Sequence, residues 1–187
     1  LTKLISETHA QVQKLEQRKN ELSSQLNALK DTADKNEKAA EIAKQNAQTN
    51  GILSGRLAAT GEGVVIRISQ GSKQKIDSAI LFTLLEELRN SGAEVIEINN
   101  VRVVTSTYIS GTAGSLVCDG TKLKSPFTIR AIGDSDNLQN AVNLAGGVGS
   151  RLKVKYGATV SVSPSDKVMI KSTRQAPQYT YAHVIGQ

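Results

Sequence analysis

Apolar residues return every three and four positions through the first fifty residues of the chain. Val12, Leu15, Leu22, Leu26 and Leu29 carry the pattern. Set as heptads, Ile5, Val12, Lys19, Leu26 and Ala33 take position a, and Leu1, Thr8, Leu15, Leu22 and Leu29 take position d. A seam repeating every seven residues over about four heptads predicts paired helices in a left-handed supercoil. Gln11, Gln13, Lys14, Glu16 and Arg18 lie between the seam positions, so nothing else on this helix needs burying. Residues 1–50 contain no Gly or Pro to interrupt it. Lys19 weakens the seam while restricting register and partner number. Beyond Leu29 only Ala33, Ala40 and Ala43 continue it, and Gly51 and Gly55 are expected to end the helix. The competing arrangement, one amphipathic helix folded onto its own domain, calls for a broader apolar stripe. A stalk of about 45 residues spans roughly 65–70 Å.

After a linker at 51–60 the period changes. Val64-Val65-Ile66-Arg67-Ile68, flanked by glycines, predicts a buried strand. Asp77 to Ser91 places Ile80, Leu81, Leu84, Leu85 and Leu88 on one face, with Asp77 as N-cap and Gly92 at the stop, and predicts a helix. Val95 to Ile98 follows as a strand, and Asn99-Asn100 turns the chain into another at Val101–Val104. Thr107–Ile109 and Leu116–Cys118 are shorter strand candidates, with Asp119-Gly120 as a hairpin turn. Phe127–Ile132 predicts a strand. A helix capped by Asp134 or Ser135 follows and ends at Gly146-Gly147, while 148–156 is ambiguous, with a further helical turn as one option. Thr159–Val162 and Val168–Ile170 close as strands. The expected fold is α+β: a coiled-coil helix, then a ferredoxin-like (βαββαβ) two-layer sandwich over 61–171 with an inserted β-hairpin. Helices on one face only leave the other sheet face open for a partner or for the stalk. Residues 172–187 read as an extended, loosely ordered tail.

Composition narrows the function classes. Aromatic residues make up 3% of the 187 residues, with no Trp, too few rings for a single-strand nucleic-acid platform. The net charge of +6 is uneven: residues 120–187 hold nine Lys/Arg against three Asp/Glu, residues 1–50 eight against seven. Lys122, Lys124, Arg151, Lys153 and Lys155, with Lys167 and Lys171, form a candidate basic surface. If 151–155 is extended, its three cations share one side. Such a surface suits anionic headgroups or an anionic wall polymer; it equally suits a solvated edge that resists strand pairing. No nucleic-acid partner is expected. No run of about 18 apolar residues crosses a membrane within the chain.

Candidate chemistry is sparse. His9 and His183 have no partners at metal-ligand spacing, so no metal or cofactor is expected. Cys118 follows Leu116-Val117, which places it in the core rather than as a nucleophile with His183 as base. Gly146-Gly147-Val148-Gly149-Ser150 reads as a helix cap and connection, with a phosphate cradle as the alternative. Glu86-Glu87 reads as a solvated helix face. The expectation is therefore a non-enzymatic scaffold or interaction protein, pairing with itself or with a coiled-coil partner. The alternative is a small-ligand or anion sensor using the open sheet face or the Gly146–Ser150 loop.

Several runs carry a resemblance. Gly61-Glu62-Gly63-Val64-Val65-Ile66, the helix from Leu84 through Gly92-Ala93-Glu94-Val95-Ile96, Ile98-Asn99-Asn100-Val101-Arg102, Thr107-Tyr108-Ile109 and Ser125 to Asp134 resemble the bacterial family called domain of unknown function 881. Glu86 stands where that family usually carries Asn, and Asn100 where it often carries Gly. The resemblance implies one membrane-spanning helix ahead of the coil, missing from this chain, with the domain on the outer side of the cytoplasmic membrane. It also implies a neighbourhood of cell-division and cell-envelope genes.

Overall fold

The computed structural model describes residues 2–183 and 185, with side chains from residue 9 onward. Two compact units divide the chain, Leu1–Ala47 and Gln48–Gln187. The first consists of one helix, α1 (Thr2–Leu53), whose last residues belong to the second unit. Every side chain from His9 to Asn50 is exposed, the seam residues Val12, Leu15, Leu22, Leu26 and Leu29 by 45 to 68%. The Ile5 side chain, and those of Leu1 and Thr8, lie outside the described residues.

Gly51 does not end α1. It sits inside the last turn because Leu57 packs against it; a Cβ there would lie 2.6 Å from Leu57 Cδ1. The stop falls at Gly55, whose φ of +73° suits glycine, while the N–H groups of Arg56 and Leu57 return to the Gly51 carbonyl. The expected linker is thus part helix end and part strand, since β1 (Ala59–Ser69) starts at Ala59.

The second unit builds a five-stranded sheet from β1, β2 (Val95–Ile98), β3 (Val101–Val103), β7 (Phe127–Ile132) and β8 (Thr159–Ile170). Its order is β3-β2-β7-β1-β8, antiparallel throughout. The inserted segment forms a separate three-stranded sheet of β4 (Ile109–Thr112), β5 (Ser115–Cys118) and β6 (Thr121–Lys122). Thr107 stands before β4 rather than in it, because its N–H turns back to the Val104 carbonyl. Asn99 (φ 46°) with Asn100 (φ 64°), and Asp119 (φ 47°) with Gly120 (φ 83°), supply the left-handed pairs that two-residue hairpins need.

α2 (Ser78–Asn90), α3 (Ser135–Asn143) and α4 (Val148–Val154) cover one face of the large sheet. The side-chain carboxylate of Asp77 caps α2 by accepting the Ile80 N–H at 2.9 Å; Asp134 caps α3 in the same way through Asn137 N–H. Ile80, Leu81, Leu84, Leu85 and Leu88 meet Val64, Ile66, Ile68, Ile98 and Ile129 in the main core.

The last two expected strands are one. Pro164 does not interrupt β8, because β8 is an edge strand and a missing N–H there costs no ladder bond on its open side. A bulge divides the strand instead: Gly61 pairs with Val168, but Gly63 pairs with Ser165. The extra residue reverses the strand's alternation. Val160 and Val162 pack with the helix-side core, whereas Val168 and Ile170 join Val95 and Ile132 on the reverse face.

Candidate functional site

The reverse face is not the one that α2, α3 and α4 cover, but it is not bare. Its charged residues lie in one cross-strand row, Arg102 on β3 opposite Glu97 on β2, and Glu97 opposite Arg130 on β7. Val65 on β1 continues the row. Cross-strand neighbours of opposite charge attract, and burial strengthens the pairing. Arg130 Nη1 donates to Glu97 Oε1 at 2.6 Å and to Asn100 Oδ1 at 3.3 Å. The Ser172 hydroxyl donates to the other oxygen of Glu97.

Arg102 is 2% exposed. Burial pulls its pKa below the ordinary arginine value, and the nearby Glu97 carboxylate opposes that shift. The guanidinium donates to the carbonyls of Leu57 at 3.0 Å, Ile52 at 2.9 Å and Ser172 at 3.3 Å. One buried fork therefore ties together the end of α1, the segment after it and the chain after β8. Arg174 adds a second tie: its N–H reaches the Gly55 carbonyl at 2.7 Å, and its guanidinium pairs with Asp119. The sheet face expected to be open is thus partly covered, because the chain leaving β8 reaches Glu97 on β2 and Arg102 on β3. The tail is fastened through Arg174 rather than loose from Ser172.

What stays open is a cleft of about 570 Å³ beside this crossing segment. Val65, Glu97, Asn100 and Arg130 line it from the sheet, and Lys167, Val168, Met169, Lys171 and Ser172 from the end of β8. A second hollow shares Asn100 and Arg130 with it and contains Lys122 and Lys124. Asn99 holds that part in place, donating to the Lys124 carbonyl at 2.7 Å and accepting the Thr128 N–H at 2.8 Å.

The structure splits the predicted basic surface. Lys122 and Lys124 stand at the cleft, while Arg151, Lys153 and Lys155 belong to α4 or its cap. Residues 151–154 are helical and the Lys155 backbone continues the turn, so Lys153 points away from Arg151 and Lys155 instead of sharing one side with them as in an extended segment. Arg151 approaches Glu87 at 3.9 Å and Lys155 lies over the Tyr156 ring, 5.4 Å from its centre.

The Gly146–Ser150 segment is not a vacant cradle. Gly147 is the N-cap of α4, and Val148 N–H donates to Glu87 Oε2 at 3.3 Å, so the chain supplies its own carboxylate there. Gly149 is required by packing, since a Cβ would sit 2.0 Å from the Val142 carbonyl oxygen. Glu87 consequently serves α4 instead of a solvated face, and Glu86 pairs with Arg89.

Cys118 is fully buried, and burial first, then the Asp119 charge, pushes its thiol up to about 11. A protonated, enclosed thiol is a poor nucleophile. Among the described residues no three His, Cys, Asp or Glu side chains gather as metal ligands would.

Residues 46–183 match the family described as "Bacterial protein of unknown function (DUF881)". The chain belongs to this family. The match starts two residues before the second unit and includes the end of α1 that Arg102 holds. UPF0749 protein Rv1825 of Mycobacterium tuberculosis is 34% identical over 169 residues, 88% of this chain and 57% of that protein. UPF0749 protein YlxW of Bacillus subtilis is 30% identical over 126 residues, 63% of this chain and 54% of its own length. The chain thus spans little more than half the length of these relatives. The crystal structure of an uncharacterized conserved protein from Mycobacterium tuberculosis superposes with a TM-score of 0.67 at 35% identity, covering 75% of this chain and 99% of that one. The DUF881 chain is accordingly an α+β protein with a long N-terminal helix and antiparallel sheets.

Proposed function

We propose that this DUF881 protein is a non-enzymatic interaction module of the bacterial cell envelope, self-associating through α1 and presenting its sheet-bearing unit. The observation that carries this reading is the exposed seam: five apolar side chains at heptad spacing stand in solvent in the single chain. Burying each such side chain is worth about 1.5–3 kcal/mol, and a lone helix with a narrow seam is marginal in water. A second copy supplies the matching seam without a further partner. The sheet order β2-β7-β1-β8, with helices on one face, supports a ferredoxin-like plan in which β3 is an added edge strand. Placement outside the cytoplasmic membrane and a link to cell division rest on the family resemblance alone; protease accessibility of the full-length protein in intact spheroplasts tests the placement.

Sedimentation velocity tests the pairing. The full chain should sediment as a dimer and a chain beginning at Gln48 as a folded monomer. Truncating at Gly55 would remove the Ile52 carbonyl that Arg102 holds, so Gln48 is the better boundary. Equal association with and without residues 1–47 would end the reading.

A second reading, binding of a small anion, is supported by the cationic cleft on the reverse face. It no longer rests on the Gly146–Ser150 segment.

A further inference from the structure

We infer that the cleft between the Glu97–Arg130 row and the end of β8 binds the phosphate group of a polyol phosphate, with Arg130, Lys167 and Lys171 as its cationic contacts. This deepens the anion-binding reading and is independent of self-association through α1.

Charge sets the ligand's sign. Three cations, Arg130, Lys167 and Lys171, line the cleft against one carboxylate, and that carboxylate is already engaged. Glu97 accepts from Arg130 on one oxygen and from Ser172 on the other. Lys167, Lys171, Lys122 and Lys124 form no ion pair among the described residues. An excess of two positive charges in a concave site suits a phosphate, whose charge approaches two, better than a lone carboxylate.

Geometry sets the form. Arg130 is held by Glu97 and Asn100 through Nη1, and no other bond engages its Nε or Nη2 among the described residues. A guanidinium fixed on one nitrogen presents the rest of its fork in a set direction, the arrangement that suits phosphate oxygens. Its side chain is 33% exposed. A recessed donor is reached more readily by a protruding phosphate than by a flat bilayer. The cleft's volume lies within the roughly 300–1,000 Å³ usual for small-molecule sites.

The remaining lining decides what the phosphate is attached to. Asn100 and Ser172 offer polar groups to hydroxyls beside the aliphatic surface of Val65 and Met169, and among the described residues no aromatic ring lines the cleft for a base to stack on. A glycerol or other polyol backbone fits this lining, whereas a nucleobase finds no platform. Lys122 and Lys124, beside the shared Asn100 and Arg130, extend the cationic track in a way that suits a repeating phosphodiester.

Isothermal titration of the full chain with inorganic pyrophosphate and with poly(glycerol phosphate) tests this. Both probes should bind, the polymer more tightly, and both should weaken as salt is raised. The exposed pair Lys167→Gln/Lys171→Gln should fold normally and weaken binding about tenfold or more, the worth of one charge-assisted contact. Arg151→Gln/Lys153→Gln/Lys155→Gln should leave affinity unchanged. Unaltered affinity in the Lys167/Lys171 variant would overturn the site, as would silence from both soluble probes. Binding confined to phosphatidylglycerol vesicles would overturn it in favour of bilayer docking. Sedimentation of the same samples reports self-association separately.

Discussion

Leu22 and Leu84 are the same residue put to opposite uses. Leu22 lies on a helix with nothing over it, 59% exposed; Leu84 lies on a helix closed under a sheet, with no exposure. Both helices are written with apolar residues three and four apart. The difference lies in stripe width: α2 buries five side chains within thirteen residues, whereas the α1 seam places about two per heptad. A wide stripe meets a sheet and a narrow one meets another narrow one. The sheet-bearing unit thus buries its stripe within the single chain, while Val12, Leu15, Leu22, Leu26 and Leu29 leave theirs exposed.

The contrast is broken most directly by paired truncations. Leu84→Ala should cost about 2–5 kcal/mol in urea unfolding of the sheet-bearing unit, because it deletes a fully buried side chain from the main core. Leu22→Ala should leave that transition in place while weakening self-association. A matching loss of stability in both variants would mean that the two helices are not doing different jobs.

A smaller effect sharpens where one unit ends. Arg102→Leu leaves Glu97 without one of its flanking cations and three carbonyls without their donor. Destabilisation of about 3 kcal/mol is expected, because a buried acceptor left without its donor costs about 1–3 kcal/mol. Hydrogen exchange should then quicken at Gly51–Leu57 before it does in β1. Unchanged protection there would show that the clamp does not hold the end of α1.

The smallest effects concern the Asp77 cap and titrate with pH. Burial would raise the Asp77 pKa, but hydrogen bonds from the Ile80 N–H and the Tyr156 hydroxyl outweigh it and hold the carboxyl below its ordinary range. Its contribution is therefore present above about pH 4 and fades as pH falls through the lowered value. Tyr156 goes the other way: burial, then the Asp77 bond, raises it to about 12. Its contribution is full below about pH 10 and declines as pH rises toward 12. Asp77→Ala should cost about 1 kcal/mol at neutral pH. Tyr156→Phe should flatten the alkaline limb of a stability–pH curve; an unaltered limb would remove the assigned bond.

Local features were legible in the sequence because local chemistry decides them. The Asp77 cap, the Asn99-Asn100 and Asp119-Gly120 turns and the α2 stripe each rest on residues a few positions apart. α4 was not, since Val148–Val154 is short and its start depends on Glu87, 61 residues away. The cleft was only half visible. Lys122, Lys124, Lys167 and Lys171 stood out as charges, but Arg130 sits inside an apolar strand, and its neighbour Glu97 is known only from register. A signal did exist: Glu97, Arg102 and Arg130 each interrupt a run of strand-forming residues, where a charge needs a partner. The α4 cations show the opposite error, grouped in sequence but carried on a helix that covers the other face of the sheet from the cleft.

The bulge in β8 has a consequence for how the chain can vary. Because Gly61 and Gly63 span three steps of their neighbour, the strand enters in one phase and leaves in the other. Without the bulge, at unchanged length, even alternation would turn Val168 and Ile170 over, uncover Val95 and Ile132, and misalign Ser172 with Glu97; excising one residue between Ser165 and Val168 would instead straighten the strand with Val168 still opposite Gly61. The residue beyond an even pairing, whichever it is, lets one strand line two different cores.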